Sequence, residues 1–319
     1  MSSRKPIPTQ PRRGRMTVIS VGSVVAAIAA HSYTAGGGIL AFMTDPPPKF
    51  TVIIAVRNGA VTLQRALDSV IGQTHEFVEL IVIDGASTDG TAGVLARNAD
   101  HIEYWESKPD RGIYHAWNKA LGRVAGDWIC FLGADDRFHG PRVLATVAHH
   151  LANAPEDCRV AYGRVRVVND RGDVIGALGG PWDRNEFIDH MSTPHPATFH
   201  RLSLFERHGL FDESYQIAGD YEYLLRELLA ADATYIPEVV TDIGAGGISD
   251  RPSNRLLIAK EVHRAQAKHG LTNKPAWMSR SVIRAAARGL IARTLGERVA
   301  RGVGPSYRRV RRALRQRGN

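Results

Sequence analysis

Apolar runs alternate with helical patterns over residues 50–132, and this alternation restricts the fold more than any other feature of the sequence. Continuous apolar runs are typical of strands that are buried on both faces of a sheet. Strands that are separated by helices pair in parallel with right-handed crossovers. The sequence therefore predicts an α/β fold with a mostly parallel sheet flanked by helices. The predicted strands are 50–56, 78–83, 101–105 and 128–132, followed after a looser segment by 160–163 and 165–168.

The fourth run, 128–132, leads into two adjacent carboxylates, Asp135 and Asp136. Ligands of open α/β sheets bind beyond the carboxyl ends of the strands. Two neighbouring carboxylates repel each other unless a cation lies between them, and Mg²⁺ or Mn²⁺ in such a place is typical of a phosphorylated substrate. A solvated turn is the alternative, because Asp is common in turns. Both interpretations remain open on this segment alone.

Two further side chains are predicted near the same edge of the sheet. Asp84 ends the second strand, where a carboxylate is well placed to accept hydrogen bonds from a nucleobase or ribose. Arg111 precedes Gly112 and a predicted helix, which is a favourable position for binding a diphosphate. Both residues are also common in ordinary turns. No Walker-type loop and no Gly-x-Gly-x-x-Gly is present, which argues against P-loop NTPases and dinucleotide enzymes.

Four motifs in this order resemble glycosyltransferase family two: TVIIAVRN, VIDGASTDGT, DRGIYHAWNKA and FLGADD, at 51–58, 82–91, 110–120 and 131–136. The resemblance extends over about residues 50–250. It implies a GT-A-type, Rossmann-like fold that binds a nucleotide-sugar donor through Mg²⁺ or Mn²⁺. Such enzymes transfer the sugar to an acceptor, usually with inversion of the anomeric configuration. The donor would be a UDP-, GDP- or dTDP-sugar.

The resemblance also implies roles for individual residues. Asp135 and Asp136 would bind the metal. Asp220, at the start of a predicted helix, would be the general base that deprotonates the acceptor hydroxyl; a helix N-cap is the alternative role. His195 and Gly247 would lie on the acceptor side. The donor pocket would include Val56, Asn58, Asp84, Arg111, Gly112, Asn118 and Asp135.

The chain departs from the family pattern at two glycines. Gly133 stands where a further Asp is common, and Gly219 stands where the family often has Glu before the presumed base. These departures leave open a catalytically inactive scaffold of the same fold that binds glycan or lipid. A sugar nucleotidyltransferase is a second alternative, although its Gly-rich N-terminal signature is missing.

The net charge of +9 is concentrated at the C-terminus. Residues 280–319 contain 12 Arg and one acidic residue, Glu297, which gives +11 and leaves −2 for the rest of the chain. Arginines at near-helical spacing between apolar residues favour an amphipathic helix on anionic lipid. Nucleic acid is not expected as a partner, because only Tyr307 offers an aromatic stacking surface. A solvated helix face is the third interpretation.

The sequence divides into three zones: an N-terminal extension (1–49), a GT-A-type domain (50–254) and a basic helical C-terminal extension (255–319). Within the domain, 50–140 is the predicted nucleotide-sugar half and 141–254 the predicted acceptor half. Residues 16–44 lack charged side chains and are long enough for a membrane anchor, although an uncleaved signal or a disordered upstream extension also fits. We favour the extension, because a single span would carry the domain away from cytosolic donors.

Two cysteines without metal-ligand spacing are consistent with a reducing cytosol. We therefore expect a cytoplasmic enzyme, in peripheral contact with the inner face of the cell membrane. It would be a metal-dependent, inverting glycosyltransferase. Its acceptor would be a lipid-linked glycan or glycolipid in cell-envelope polysaccharide synthesis.

Overall fold

The computed structural model describes residues 46–169, 171–245, 247, 251–272, 282–283 and 286–287. Residues 16–44 and nearly all of 280–319 lie outside these ranges, so the membrane predictions for both segments stay predictions. In the described part of the chain, no helix combines the length and the hydropathy that crossing a bilayer requires.

The first half of the domain consists of four parallel strands and the helices that connect them. Their order in the sheet is β3-β2-β1-β4, and every neighbouring pair is parallel. The carboxyl ends of the four strands therefore lie along one edge, called here the carboxyl edge. The elements are β1 (Phe50–Val56), α1 (Leu63–Ile71), β2 (Val78–Asp84), α2 (Thr91–Arg97), β3 (Tyr104–Ser107), α3 (Ile113–Leu121) and β4 (Trp128–Gly133).

The second half extends the same sheet in the order β4-β8-β6-β9-β5, and β7 pairs with β6. Strand β8 is antiparallel to both β4 and β6, and β6 is parallel to β9. Strands β6 and β9 consequently end at the carboxyl edge as well. The elements are β5 (Arg137–Phe138), α4 (Val143–Ala152), β6 (Val160–Val168), β7 (Val174–Leu178), α5 (Arg184–Asp189), β8 (Thr198–Arg201), α6 (Leu202–His208), α7 (Gly219–Leu228), β9 (Thr234–Gly244) and α8 (Arg255–Lys268). Short 3-10 helices occupy Ala99–His101, His195–Ala197 and Pro252–Asn254.

Two of the predicted strand boundaries differ from the structure by more than one residue for a clear physical reason. The third strand begins at Tyr104 rather than at residue 101, because Ala99–His101 form a 3-10 turn. The predicted interruption between 163 and 165 is wrong, since β6 runs through Gly163 without a break. A Cβ atom at Gly163 would lie 2.4 Å from Cγ2 of Val240 on β9. Glycine therefore permits a close approach of the two strands here and does not end a strand.

The sheet is covered on both faces, which explains why its central strands are continuously apolar. On β1, Val52 and Ile54 face a cluster that includes side chains of α1, α2 and α4. Ile53 faces the opposite cluster, to which α3, α5, α6, α7 and α8 contribute. Side chains from α8 thus belong to the same core as the central strands.

An aromatic group at the centre of the second cluster surrounds Phe131 of β4, which is 1% exposed. Its ring centroid lies 4.6 Å from that of Trp117, 5.3 Å from Phe211 and 5.4 Å from His195. These rings join α3 and the segment before α7 to the central sheet. Phe131 therefore packs against aromatic side chains from both halves of the domain.

We expect Phe131→Ala to lower the free energy of unfolding by about 3–5 kcal/mol, because it removes a fully packed ring and leaves a cavity. Urea denaturation followed by circular dichroism measures this change. The control is Val61→Ala, whose side chain is 96% exposed and whose expected effect is below about 0.5 kcal/mol. Equal midpoints for Phe131→Ala and the wild type would contradict this account of the core.

Candidate functional site

The loops after β1 and β2 are joined by hydrogen bonds at the carboxyl edge. Asn58 has a left-handed backbone (φ 54°), a conformation that Asn tolerates better than most residues. Its backbone N–H donates to Oγ of Ser87 at 2.7 Å, and its side-chain Oδ1 accepts from the backbone N–H of Thr88 at 2.9 Å. The sequence places Val56 at the end of β1, and there it is 5% exposed. Asn58 therefore joins the two loops, and a donor contact for Val56 or Asn58 stays a prediction.

Asp84 lies at this edge but is completely buried. Its carboxylate accepts hydrogen bonds from the N–H of Ser87 at 3.2 and 3.3 Å and from the hydroxyl of Ser107 at 2.5 Å. The hydroxyl of Ser87 donates to it as well. A contact between Asp84 and a nucleobase therefore requires one of these serines to move.

The two carboxylates after β4 differ in exposure: Asp136 is 8% exposed, whereas Asp135 is open to solvent. Burial and the neighbouring charge of Asp135 raise the pKa of Asp136 to about 7, although backbone N–H groups of Gly244 and Gly133 donate to it. A Cβ atom at Gly133 would lie 2.5 Å from Oδ2 of Asp136 and 3.1 Å from Oδ1 of Asp135. Glycine at this position thus leaves room for both carboxylates to fold back over the strand end.

This pair has the ligand chemistry of a hard divalent cation, which binds carboxylate oxygens and would favour the ionised form of Asp136. No group of three or more His, Cys, Asp and Glu side chains suited to a metal is found within the described ranges. Among the described residues, a cation at this place would have two protein carboxylates, Asp135 and Asp136, as its ligands.

Several cationic side chains that no sequence motif indicates lie at the carboxyl edge. Nη2 of Arg65 donates to the backbone carbonyl of Asp135 at 3.1 Å. Asp242, at the end of β9, is 2% exposed and binds Arg166 through two hydrogen bonds of 2.7 and 2.8 Å and Arg137 at 3.2 Å. An arginine within a mostly apolar strand is the signal in the sequence, but β6 contains both Arg164 and Arg166, and only Arg166 binds Asp242 in the structure. The guanidinium groups of Arg137 and Arg166 therefore lie at the carboxyl edge, where both bind the buried Asp242.

Arg111 and Asn118 both contact the loop that precedes α7. The guanidinium of Arg111, 70% exposed, forms an ion pair with Glu213. The side-chain amide of Asn118 donates to the carbonyl of Phe211 at 3.0 Å and to Oε1 of Glu213 at 3.1 Å, and its Oδ1 accepts from the N–H of Phe211 at 3.0 Å. Asn118 thus connects the halves of the domain. Arg111 is left accessible, and Gly112 supplies the positive φ (126°) of the turn beside it.

Asp220 lies in the first turn of α7 and is partly buried. The N-cap of this helix is Ala218, so the N-cap role predicted as an alternative for Asp220 is wrong. Burial raises the pKa of Asp220 to about 6, against hydrogen bonds from the N–H groups of Tyr221 and of Asp220 itself. The hydroxyl of Tyr114 lies 3.4 Å from its Oδ1. A carboxylate of this kind is ionised at neutral pH and basic enough to accept a proton.

Gly219 is explained by the packing of Tyr114. A Cβ atom at Gly219 would lie 2.8 Å from the Tyr114 ring and 3.0 Å from Cβ of Tyr215. The N–H of Gly219 donates to the hydroxyl of Tyr114 at 2.7 Å. The tyrosine therefore occupies the space that a larger side chain at 219 would need.

His195 is 7% exposed and lies in the aromatic group around Phe131, stacked on Trp117 with ring centroids 4.9 Å apart. Burial, and then the neighbouring His200, hold its pKa well below the usual value, so the ring is neutral. Among the described residues its Nε2 has no hydrogen-bond partner. Gly247 is flanked by residues outside the described ranges, and the acceptor-side role of both residues stays a prediction.

The chain matches the sequence model of Glycosyl transferase family 2 over residues 51–203. It is 33% identical over 185 residues to a PGL/p-HBAD biosynthesis glycosyltransferase of Mycobacterium tuberculosis. This alignment covers 56% of this chain and 69% of the relative. It is also 33% identical over 205 residues to an uncharacterized glycosyltransferase of the same species, which covers 63% of this chain and 77% of the relative. The chain therefore belongs to glycosyltransferase family 2.

Solved structures confirm the GT-A-type fold. Residues 1–349 of S. aureus TarS in complex with UDP-GlcNAc give a TM-score of 0.56 at 17% identity, covering 78% of this chain and 72% of that one. A mannosyltransferase from Pyrobaculum calidifontis in complex with GDP-Man and Mn²⁺ gives 0.53 at 20% identity, covering 81% and 74%. Against a longer TarS structure, this chain spans 44% of the length.

We expect Gly219→Ala to lower the free energy of unfolding by about 1–3 kcal/mol, because the new methyl group overlaps the Tyr114 ring. Thermal or urea denaturation measures the loss. The control is Gly140→Ala, where nothing lies within 4 Å of the new Cβ atom, and an effect below about 1 kcal/mol is expected there. If the two alanine variants are equally stable, the close packing of Tyr114 on Gly219 is not required.

Proposed function

We propose that this chain transfers a sugar from a nucleoside-diphosphate sugar to an acceptor hydroxyl with inversion of configuration. The observation that supports this most directly is that two carboxyl groups have raised pKa values. They are Asp136, which lies beside Asp135, and Asp220 on α7. Their raised pKa values have a physical cause in burial, and perturbed carboxyl groups of this kind are typical of active sites.

Asp135 and Asp136 would hold a divalent cation, Mg²⁺ or Mn²⁺. When bound, such a cation neutralises the charge that develops on the leaving nucleoside diphosphate. The mannosyltransferase neighbour contains GDP-Man and Mn²⁺, which supports this choice of cofactor. Arg111 is proposed to bind the diphosphate, because its guanidinium is exposed and its present partner Glu213 lies at the surface.

Asp220 is proposed as the general base. In a single displacement, the acceptor oxygen attacks the anomeric carbon while the bond from that carbon to the diphosphate oxygen breaks. The hydroxyl proton moves to the carboxylate of Asp220, and the nucleoside diphosphate leaves. Attack from the face opposite the leaving group inverts the anomeric configuration.

The acceptor is proposed to be a lipid-linked glycan or a glycolipid of the cell envelope. The M. tuberculosis relative, a PGL/p-HBAD biosynthesis glycosyltransferase, supports this acceptor class. A nucleotide-sugar donor places the reaction in the cytoplasm, and the basic C-terminal segment fits contact with the inner membrane face. UDP-, GDP- and dTDP-sugars remain the candidate donors.

The inactive scaffold is less well supported. Its basis was the pair of departures at Gly133 and Gly219. Both glycines have a local steric reason, since each gives space to a neighbouring side chain of the proposed site. Although it has glycine at these two positions, the chain keeps Asp135, Asp136 and Asp220.

We expect Asp136→Ala to abolish metal-dependent binding of UDP or GDP and, with it, donor hydrolysis and transfer, while the fold survives. Isothermal titration calorimetry with and without Mn²⁺ measures the binding, and circular dichroism checks the fold. Asp100→Ala, at an exposed carboxylate in the turn before β3, is the control. Metal-dependent binding of wild-type strength in Asp136→Ala would rule out this metal site.

We expect Asp220→Asn to keep donor binding and to reduce the transfer rate by about 100- to 10,000-fold, because the amide accepts no proton. In the wild type, protonation of Asp220 at low pH has the same consequence. Its raised pKa therefore predicts that kcat falls by about tenfold per pH unit below a pH of about 6. Among the described residues, Tyr114 of α3 and Glu261 of α8 are ionisable groups that act on the pKa of this carboxylate.

Steady-state kinetics between pH 5 and 8, together with calorimetry of donor binding, test both statements. Glu206→Gln, at an exposed position on α6, is the control and is expected to follow the wild-type profile. Loss of donor binding in Asp220→Asn would assign this residue to the donor site. Wild-type turnover in that variant would exclude it as the base.

A further inference from the structure

We infer that Glu261 of α8 is a positioning residue for Asp220, because it holds the backbone of the loop that leads into α7. The inference rests on the proposed role of Asp220 as the general base. It assigns a part in catalysis to a helix that lies beyond residues 51–203, the span of the family match.

Three consecutive backbone N–H groups converge on the carboxylate of Glu261, which is 6% exposed. Gln216 donates to Oε1 at 2.8 Å, and Ile217 and Ala218 donate to Oε2 at 2.9 and 2.8 Å. Hydrogen bonds to an ionised acceptor are about twice as strong as those between neutral groups. The carboxylate therefore fixes the path of residues 216–218.

This path determines where Asp220 lies. Ala218 is the N-cap of α7, and Asp220 follows two residues later in the first turn. On the opposite side, the hydroxyl of Tyr114 donates to the carbonyl of Ile217 at 2.6 Å and accepts from the N–H of Gly219 at 2.7 Å. The loop is thus held between α3, which follows the Arg111 turn, and α8. A loss of either contact frees the backbone that carries the base.

Other residues attach α8 to the rest of the domain. Lys268 and His269, at the end of α8, lie 3.0 and 3.1 Å from Oε1 of Glu222 on α7, which is fully buried. Gln266 donates to the carbonyl of Ile188, at the end of α5, at 2.8 Å and to the hydroxyl of Tyr221 on α7 at 3.3 Å. Among the described residues, the donors to the side-chain carboxylate of Glu261 are the backbone N–H groups of 216–218. Docking of the helix and placement of the loop can therefore be separated by mutation.

Glu261 also acts on Asp220 through its charge. Burial is the main cause of the raised pKa of Asp220, and the negative charge of Glu261 adds to it. Neutralising Glu261 is consequently expected to move the pH dependence of transfer towards lower pH. A contact that only stabilises the fold has no such effect.

The test compares Glu261→Gln with Gln266→Ala, a variant of the same helix that weakens its contacts with α5 and with Tyr221 of α7 but leaves the bonds to 216–218 intact. Hydrogen exchange measured by mass spectrometry reports on a peptide covering residues 214–220, independently of activity. Steady-state transfer and calorimetry of donor binding give kcat and the donor Kd. In Glu261→Gln we expect amide exchange at 216–218 to become about tenfold faster and kcat to fall by about tenfold. The donor Kd is expected to stay within about twofold of the wild-type value.

Gln266→Ala is expected to lower the thermal midpoint but to keep the exchange of 216–218, the kcat and the pH midpoint of the wild type. Glu261→Asp keeps the charge and is expected to lose less kcat than Glu261→Gln. If Glu261→Gln does not fold, Glu261→Asp is compared with Gln266→Ala by the same measurements, with faster exchange and lower kcat expected in the aspartate variant alone.

Three results would overturn the inference: unchanged exchange at 216–218 in the Glu261 variant, faster exchange with wild-type kcat and pH profile, or an equal loss of kcat in Gln266→Ala. Failure of the proposed function has a different signature. In that case Asp220→Asn turns over like the wild type, whatever the exchange of the loop shows.

Discussion

The cost of burying carboxylates at the end of an apolar sheet is the constraint on which the rest of the site depends. Asp84, Asp136 and Asp242 all lie at the carboxyl edge and all are at most 8% exposed. Asp84 is compensated by serine hydroxyls. Asp242 is compensated by two guanidinium groups, which hold its pKa below the usual value despite burial. Asp136 instead lies beside another carboxylate, and its pKa is raised. Of these three carboxylates, Asp136 is therefore the one whose negative charge a bound cation would balance.

The same contrast separates structural from proposed functional groups around α7. The side chain of Glu222 is fully buried, yet Arg226, Lys268 and His269 contact it and its pKa is lowered, although burial opposes this. Asp220 has no cationic partner among its described contacts, and burial raises its pKa. Under the proposed function, these two carboxyl groups with raised pKa values would act at the two ends of the reaction. Asp136 would act at the leaving-group side and Asp220 at the side of the attacking hydroxyl.

Local patterns in the sequence predicted the parallel half of the fold, because a buried strand and an amphipathic helix each leave a periodic signal within about ten residues. The order of strands and helices in that half also predicted the carboxyl edge, with Asp84 and Asp136 at the ends of two strands. The roles of Asn118 and Glu261 could not be predicted in this way. Asn118 binds Phe211, 93 residues away, and Glu261 binds a loop more than 40 residues earlier. Contacts of such separation leave no mark on local periodicity, and on a helical pattern Glu261 resembles any surface glutamate.

A crystal structure with a nucleoside diphosphate and Mn²⁺ tests the central claim, that the carboxyl edge between Asp135 and the end of β9 is the donor site. The anomalous signal of Mn²⁺ locates the cation without reference to activity. The account predicts an Mn²⁺ peak within coordination distance of Asp135 or Asp136 and of the diphosphate oxygens. A diphosphate bound away from this edge, with no Mn²⁺ at the pair, would contradict it.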